Sequence, residues 1–373
     1  MNRLSIGLRL LFSVALGMSL LQACSVSGQP GNWTFDELLS APTESEIAAV
    51  RREWSERSLQ PLAIDVAGKH VVETAFGQFD VTVYSYRLDG ALQYGAAFVP
   101  RNPSTESLSV VIGARGVRWD YPVRNLTDGP YAARVLGQRQ NEFVFLSPAL
   151  RGHSFRFGDV QYDAGGDRRD SWDGAADDMI AFLSVALANL PQADSENVIA
   201  FGASRGAGVA LLHAARDSRV KAAVGFATPA DFFRLMGRPG EDWGESLQEA
   251  YEDPQFPENS RESQFIEWFL EDREALPMNE IRRRIIASSP LYFVSDLPPT
   301  QLHHGADDAP VPARNARAIK DRFLALGMKE PEYDVFVYDD VGHRLDDAGA
   351  FETTRQFVFQ SIASASASLQ VPD

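Results

Sequence analysis

The 373-residue sequence has one cysteine, only six histidines and fewer basic than acidic side chains. The single cysteine, Cys24, excludes an intramolecular disulfide and a metal site built from several thiolates. The 51 acidic and 35 basic residues give a formal charge of −16, which repels phosphate backbones and argues against a nucleic-acid partner. The histidines include no candidate metal pair except the adjacent His303 and His304, which point to opposite faces of a predicted strand. We therefore expect no metal and no organic cofactor.

Long apolar runs are also rare, and the one that stands out lies at the N-terminus. It extends from Leu10 to Leu21 behind two arginines, a length that is typical of a signal-peptide core and short for a membrane span. It ends in Leu21-Gln22-Ala23-Cys24, which resembles a bacterial lipobox. We predict a signal peptide over residues 1–23, a lipidated Cys24 and a tether over residues 24–32, so that only a lipid anchor holds the protein at the bacterial cell envelope. An ordinary secretory signal with an incidental cysteine is the alternative.

The remaining chain has the composition of a globular protein, with 45% hydrophobic and 23% charged residues. We predict a helical extension over residues 33–68, because Thr43-x-x-Glu46 has the form of a capping box. We predict one domain over residues 69–366. In it, strand-rich runs come first and short apolar strands then alternate with helices. That alternation favours an α/β fold with a mostly parallel sheet and helices on both faces. Residues 367–373 form a tail.

An acidic, aromatic segment over residues 231–290 interrupts the alternation and is much longer than an ordinary connection. We interpret it as a helical insertion above the carboxyl edge of the sheet, where it would form a lid or a pocket wall. A peripheral helical decoration is the alternative.

A candidate nucleophile lies in Gly202-Ala203-Ser204-Arg205-Gly206. The predicted strand Val198–Phe201 precedes this stretch and a predicted helix follows it, which is the context of a nucleophile elbow. The sharp reversal from strand to helix brings the residues two before and two after the serine together, so glycine is required at both. The sequence therefore predicts that the hydroxyl of Ser204 projects above the sheet, near the N-terminus of a helix.

Serine needs a base, and the base needs a carboxylate to orient it. In the chain order Ser, Asp, His, the base follows the last strand, and His343 is the histidine in that position. The carboxylate follows the preceding strand, where both Asp307 and Asp308 qualify by position.

The stretch from Gln301 to Val311 resembles the H-G-x-x-D-x-x-V-P signature of the prolyl oligopeptidase-like α/β-hydrolases. The resemblance selects Asp308 over Asp307, and covers about residues 80–360, including Arg151-Gly152. It implies an α/β-hydrolase catalytic domain with a triad of Ser204, Asp308 and His343. Too few residues precede the strands for the β-propeller of that family, since one blade takes about 40 residues.

The predicted oxyanion hole needs two backbone N–H donors. The elbow makes Arg205 one donor, and alignment to the family gives Val117 as the other. The family usually has a second glycine at Ala207, and many members have His-Gly-Gly or a tyrosine where this chain has Gly113-Ala114-Arg115-Gly116-Val117. The Arg205 side chain could meet an acidic substrate group, but a salt bridge to the acidic insertion is the favoured interpretation.

These features predict a serine hydrolase that cleaves an ester or a peptide bond through an acyl-enzyme. The resemblance favours a peptidase, and the missing propeller leaves a carboxylesterase open. The alternative from another class is a catalytically silent binding lipoprotein on a hydrolase scaffold. The sequence leaves the substrate and the oligomeric state open.

Overall fold

A nine-stranded sheet dominates the computed structural model, which describes residues 33–114, 116, 123–237, 240–253, 255–257, 260–271, 276–346 and 348–368. The strands are β1 Leu62–Thr74, β2 Gly77–Leu88, β3 Ala91–Pro100, β4 Leu108–Ala114, β5 Val123–Asn125, β6 Phe143–Ala149, β7 Ser154–Phe157, β8 Val160–Asp163, β9 Ala193–Ala203, β10 Val220–Phe226, β11 Thr300–Gly305 and β12 Tyr333–Tyr338. The helices are α1 Phe35–Leu38, α2 Glu44–Glu56, α3 Tyr131–Leu136, α4 Asp173–Asn189, α5 Arg205–Arg216, α6 Trp243–Glu252, α7 Arg261–Phe265, α8 Met278–Ala287, α9 Arg314–Ala325 and α10 Ala348–Ser368.

The strand order of the large sheet is β1-β2-β3-β6-β4-β9-β10-β11-β12. Strands β1, β2, β3 and β6 pair antiparallel, and the six strands from β6 to β12 in this order pair parallel. The parallel strands are apolar because both faces of the sheet are covered. Helices α4, α5 and α9 bury residues against one face, and α3 and α10 bury theirs against the other. The predicted mostly parallel sheet with helices on both faces is therefore confirmed.

The first strand begins earlier than the sequence predicts. We expected a helical extension as far as residue 68, whereas α2 ends at Glu56 and β1 begins at Leu62. Strand β1 is an edge strand in which Leu62, Ile64 and Val66 are exposed. These three residues alternate along the strand, but they face no core, so the alternation does not mark a half-buried strand. A second sheet of the short strands β5, β7 and β8 also lacked a signal in the sequence.

The described part of the segment between β10 and β11 is helical, comprising α6, α7 with a π-helical turn over Ile266–Leu270, and α8. Two residues at the start of α9 attach this helical segment to the main domain. Asn315 accepts hydrogen bonds from the N–H groups of Ala230 and Asp231, and Arg314 donates to the carbonyl of Leu235. Within the segment, Arg282 of α8 forms the attachment to the N-terminal helical extension. It donates to Glu46 and to the carbonyl of Leu38.

Several sequence-based expectations lie outside the described residues. These are the signal peptide over residues 1–23, Cys24 with its tether over residues 24–32, and the end of the tail from residue 369. Among the helices that the structure describes, none is both long and apolar enough to cross a membrane.

Candidate active site

The turn between β9 and α5 holds Ser204 in a conformation that side chains rarely adopt. Its φ is 56° and its ψ is −130°. The N–H of Ser204 donates to the carbonyl of Phe226 on β10 at 2.8 Å, which fixes the turn to the neighbouring strand. A Cβ at Gly202 would collide with the backbone of Gly206, so the close approach of the two glycines is a requirement of this turn. The local geometry is that of a nucleophile elbow.

The loops after β11 and β12 bring Asp308 and His343 to Ser204. The Nε2 atom of His343 lies 3.0 Å from the Ser204 Oγ. Its Nδ1 atom lies 2.9 Å and 2.8 Å from the two carboxylate oxygens of Asp308. Asp307 is exposed, and it is Asp308 that contacts His343, so the structure brings together the three residues that the resemblance selected.

The close passage of two loops aligns His343. A Cβ on Gly305, the last residue of β11, would collide with the carbonyl oxygens of Val341 and Gly342. The loop that carries His343 can therefore lie directly on the end of β11 only because residue 305 has no side chain. The N–H of Asp307 donates to the Val341 carbonyl at 2.9 Å and ties the two loops together.

A second histidine also contacts the carboxylate of Asp308. The Nε2 atom of His304 lies 2.8 Å from the Val311 carbonyl and 3.3 Å from Asp308 Oδ2. Since a carbonyl only accepts, Nε2 carries the proton and donates. The N–H of Val311 also donates to Asp308 Oδ1, at 2.8 Å. Burial alone would raise the pKa of Asp308, but the hydrogen bonds from His304, His343 and Val311 hold it below its usual range.

From the sequence, His304 is predicted only to lie at the end of a strand, with no role in the site. Its signal was the spacing of four residues to Asp308 within the signature, which brings the two side chains together across the turn after β11. His304 is thus a positioning residue for Asp308 rather than a candidate acid or base.

Replacing His304 with leucine, which cannot donate, should lower kcat/KM for an ester by about tenfold, the smaller effect expected for losing a hydrogen bond to a charged group. The charge of Asp308 would then be less offset by donors and would favour the protonated form of His343 more strongly, so the acidic limb of the pH profile should move to higher pH. The control is His303→Leu. His303 is also buried, but it contacts Tyr338, Gln301 and Thr354 instead of Asp308. A lower rate in His304→Leu with an unmoved pH profile would contradict the positioning role.

Of the two predicted oxyanion donors, Arg205 lies among the described residues. Arg205 is the first residue of α5, so its N–H has no acceptor within the helix and is available beside Ser204. Val117 lies outside the described residues. Its near neighbour Gly116 is described, and a Cβ there would lie 2.8 Å from the Ser204 Cβ. The backbone at Gly116 therefore passes directly over the candidate nucleophile.

The Arg205 side chain does not form the favoured salt bridge with the acidic insertion. Among the described residues, its Nε and Nη2 atoms have no hydrogen-bond partner although they are buried. Acids of the insertion pair with other cations instead, as Glu267 does with Arg168 and Glu280 with Arg283. The prediction failed because the acids lie within reach of arginines on the surface of the insertion and at its border.

The described residues include no group of three or more His, Cys, Asp or Glu side chains placed to hold a metal ion. The chemistry available at this site is that of the serine hydroxyl, the imidazole, the carboxylate and backbone N–H donors.

Known proteins resemble this chain in structure rather than in sequence. No protein-family model and no curated protein sequence matches it significantly. Acetyl xylan esterase 1 from Thermoanaerobacterium sp. JW/SL YS485 is 18% identical, with a TM-score of 0.56 over 90% of this chain and 96% of that one. A puromycin-hydrolyzing peptidase of Mycobacterium tuberculosis is 18% identical, with a TM-score of 0.54 over 79% of this chain and 39% of that one. The alpha/beta hydrolase GrgF from Penicillium sp. sh18 is 17% identical, with a TM-score of 0.50 over 76% of this chain and 99% of that one.

Proposed function

Since the chain has the α/β-hydrolase fold, we propose that it is a serine hydrolase that cleaves an ester or an amide through a covalent acyl-enzyme. The observation that carries the proposal is the continuous contact from Ser204 through His343 to Asp308, with 3.0 Å between Oγ and Nε2. Such a chain of contacts lets imidazole remove the hydroxyl proton while a carboxylate holds it in the required tautomer.

The proposed reaction proceeds in two halves. Ser204 Oγ attacks the substrate carbonyl carbon as its proton passes to Nε2 of His343, and the carbonyl oxygen becomes an oxyanion. The Arg205 N–H at the start of α5 would donate to that oxyanion, where the helix N-terminus also favours negative charge. The tetrahedral intermediate collapses as His343 protonates the departing alcohol or amine. Water then attacks the acyl-enzyme with His343 again as the base, and releases the acid and free Ser204.

A small ester is the substrate class that we favour. The support is structural: the chain aligns with 96% of an acetyl xylan esterase, against 39% of a puromycin-hydrolyzing peptidase. The elements of the proposed machinery would serve an amide equally, which keeps a peptide substrate as the second candidate.

We also propose that the enzyme acts at the bacterial cell envelope, held by a lipid on Cys24. The support is the apolar run that ends at Leu21-Gln22-Ala23-Cys24. Labelling of the expressed protein with a radioactive fatty acid would test this, and a Cys24→Ala protein that incorporates equal label would contradict it.

A fluorophosphonate probe tests the proposed nucleophile, because it reacts with serines activated by a base. We expect one probe adduct on the purified protein, which mass spectrometry of the peptides should locate at Ser204. A panel of p-nitrophenyl esters and aminoacyl p-nitroanilides should then show faster turnover of the short esters. Absence of both labelling and turnover would support the silent binding lipoprotein instead, and an adduct on another serine would refute this site.

A further inference from the structure

Arg205 stands out among the buried cations because two of its three guanidinium nitrogens lack a hydrogen-bond partner. The residue is 7% exposed, and neither Nε nor Nη2 has an acceptor within hydrogen-bonding distance among the described residues. Burial lowers its pKa to about 10, so the guanidinium remains charged at neutral pH. A buried, unpaired charge is costly, since desolvation is not offset by an opposite charge.

The acid that acts on Arg205, Asp178, is hydrogen-bonded to another arginine. Asp178 attracts Arg205 electrostatically, but its oxygens accept hydrogen bonds from Arg151, at 2.7 Å from the backbone N–H and at 3.0 Å from Nη2. Arg151 is also bonded to Asp170. Both oxygens of Asp178 are therefore engaged by Arg151, and Asp178 attracts Arg205 without a hydrogen bond to its Nε or Nη2 atom.

A second polar group that interacts with Arg205, the imidazole of His153, is uncharged at neutral pH. His153 is buried, and its Nδ1 lies 2.9 Å from the Arg151 carbonyl. Burial, with the positive charges of Arg205 and Arg168, lowers the pKa of His153 to about 4, so its imidazole is neutral at pH 7. Arg205, which directly follows the candidate nucleophile, thus lies near a neutral ring and an acid that is hydrogen-bonded to Arg151, and its own Nε and Nη2 atoms have no acceptor among the described residues.

Resting on the proposed serine hydrolase function, we propose that Arg205 binds a carboxylate of the substrate and so selects esters whose acyl or alcohol part carries a negative charge. A planar guanidinium suits a carboxylate, which it can bind through two parallel hydrogen bonds. The carboxylate would provide the partner that Nε and Nη2 lack. Selection must act at short range, because the formal charge of −16 repels anions from the protein as a whole.

The size of the carboxylate-bearing group follows from sequence adjacency. Ser204 and Arg205 are consecutive, so the reacting carbonyl and the recognised anion must lie within the span of one arginine side chain. Hemiesters of succinate and glutarate have this spacing, whereas esters with a remote charge do not.

The test compares p-nitrophenyl hemisuccinate and hemiglutarate with the neutral p-nitrophenyl butyrate and valerate. The measured quantity is the ratio of kcat/KM for the anionic ester to that for the neutral ester. In Arg205→Gln this ratio should fall by about 10- to 100-fold, the range expected for losing a hydrogen bond to a charged group. Arg205→Lys should retain part of the preference. The exposed Arg317 on α9 provides the control, because Arg317→Gln makes the same charge change away from Ser204.

A second measurement uses the unsubstituted protein, which removes any concern about folding of the variants. Glutarate should inhibit hydrolysis of the neutral ester competitively, and the uncharged glutaramide should do so at least tenfold more weakly. Equal inhibition by the two compounds, or an unchanged ratio in Arg205→Gln, would overturn the proposal. Turnover of the neutral ester alone would leave the serine hydrolase intact while refuting the anionic substrate. Failure of every ester and every aminoacyl p-nitroanilide, with no fluorophosphonate adduct, would instead refute the proposed function.

Discussion

Replacing Ser204 with alanine should reduce turnover of p-nitrophenyl acetate by about 10⁴-fold or more, the loss typical of removing a serine nucleophile. Without Oγ no acyl-enzyme can form, and only the backbone donors and substrate binding remain to accelerate the attack of water. Initial rates measured at matched protein concentrations would give the loss directly. The fluorophosphonate adduct should disappear in the same variant.

Strand β9, which leads into the turn at Ser204, offers a matched control. Ser195 lies on β9 and is exposed, at the end of the strand away from the elbow. Ser195→Ala makes the identical chemical change and should leave both the rate and the labelling as they are in the unsubstituted protein. A Ser204→Ala protein that keeps its activity and its adduct would refute the proposed mechanism.

The second large effect concerns stability, and we expect it from Arg216 on α5. Its side chain is 4% exposed and forms ion pairs with Asp173 and Asp177 of α4, which are also buried. Arg57, just after α2, pairs with the same two acids at 2.7 Å and 3.0 Å, and the Arg216 guanidinium lies 4.7 Å from the centre of the Trp54 ring. Arg57 and Arg216 thus share the same two acids in a cluster that joins the extension to α4 and α5.

Arg216→Met should lower the free energy of unfolding by about 3–5 kcal/mol, since removing one member of a buried ion cluster leaves uncompensated charge. Urea denaturation followed by circular dichroism would measure this. The control is Arg51→Met, because Arg51 and Asp296 are 37% and 33% exposed and an exposed pair contributes about 0–1 kcal/mol. Equal losses in the two variants would contradict the importance of the buried cluster.

The loss in Arg216→Met should also depend on pH. Burial already raises the pKa of Asp177 above its usual range, against the attraction of Arg216 and Arg57. Without Arg216 this pKa moves further up, so above about pH 4 the folded state holds a proton that the unfolded state releases. Stability of the variant therefore falls as the pH rises, and its deficit should be larger at pH 8 than at pH 5. A deficit that is equal or smaller at pH 8 would show that the carboxylates do not cause it.

The sequence predicted the fold and most of the candidate site because those features have local causes. The elbow requires glycine at residues 202 and 206 within a few positions of Ser204. The buried parallel strands show as short apolar runs, and the loops after β11 and β12 follow from their order. Position alone could not separate Asp307 from Asp308, since both lie in the same turn. The resemblance was needed to select the acid that is buried against His343.

What the sequence could not predict depends on contacts between distant residues. Arg57 pairs with Asp173, which lies 116 positions further along the chain. Nothing in the local pattern shows which arginine will meet which acid, and so the pairing assumed for Arg205 was wrong. Strand β1 was missed for a different reason. As an edge strand it is mostly exposed, so its apolar residues do not show a buried face in the sequence.

The attachment of the insertion to the extension has a consequence for the order in which the protein can assemble. Arg282 donates to the Leu38 carbonyl at 2.6 Å, and the two residues are 244 positions apart. At roughly 5–20 residues per second, a ribosome takes on the order of 10–50 s to cover that distance. Helices α1 and α2 must remain without this partner for the whole interval, although they emerge before every strand of the sheet. The part of the described chain that is synthesised first is therefore among the last to reach its final contacts.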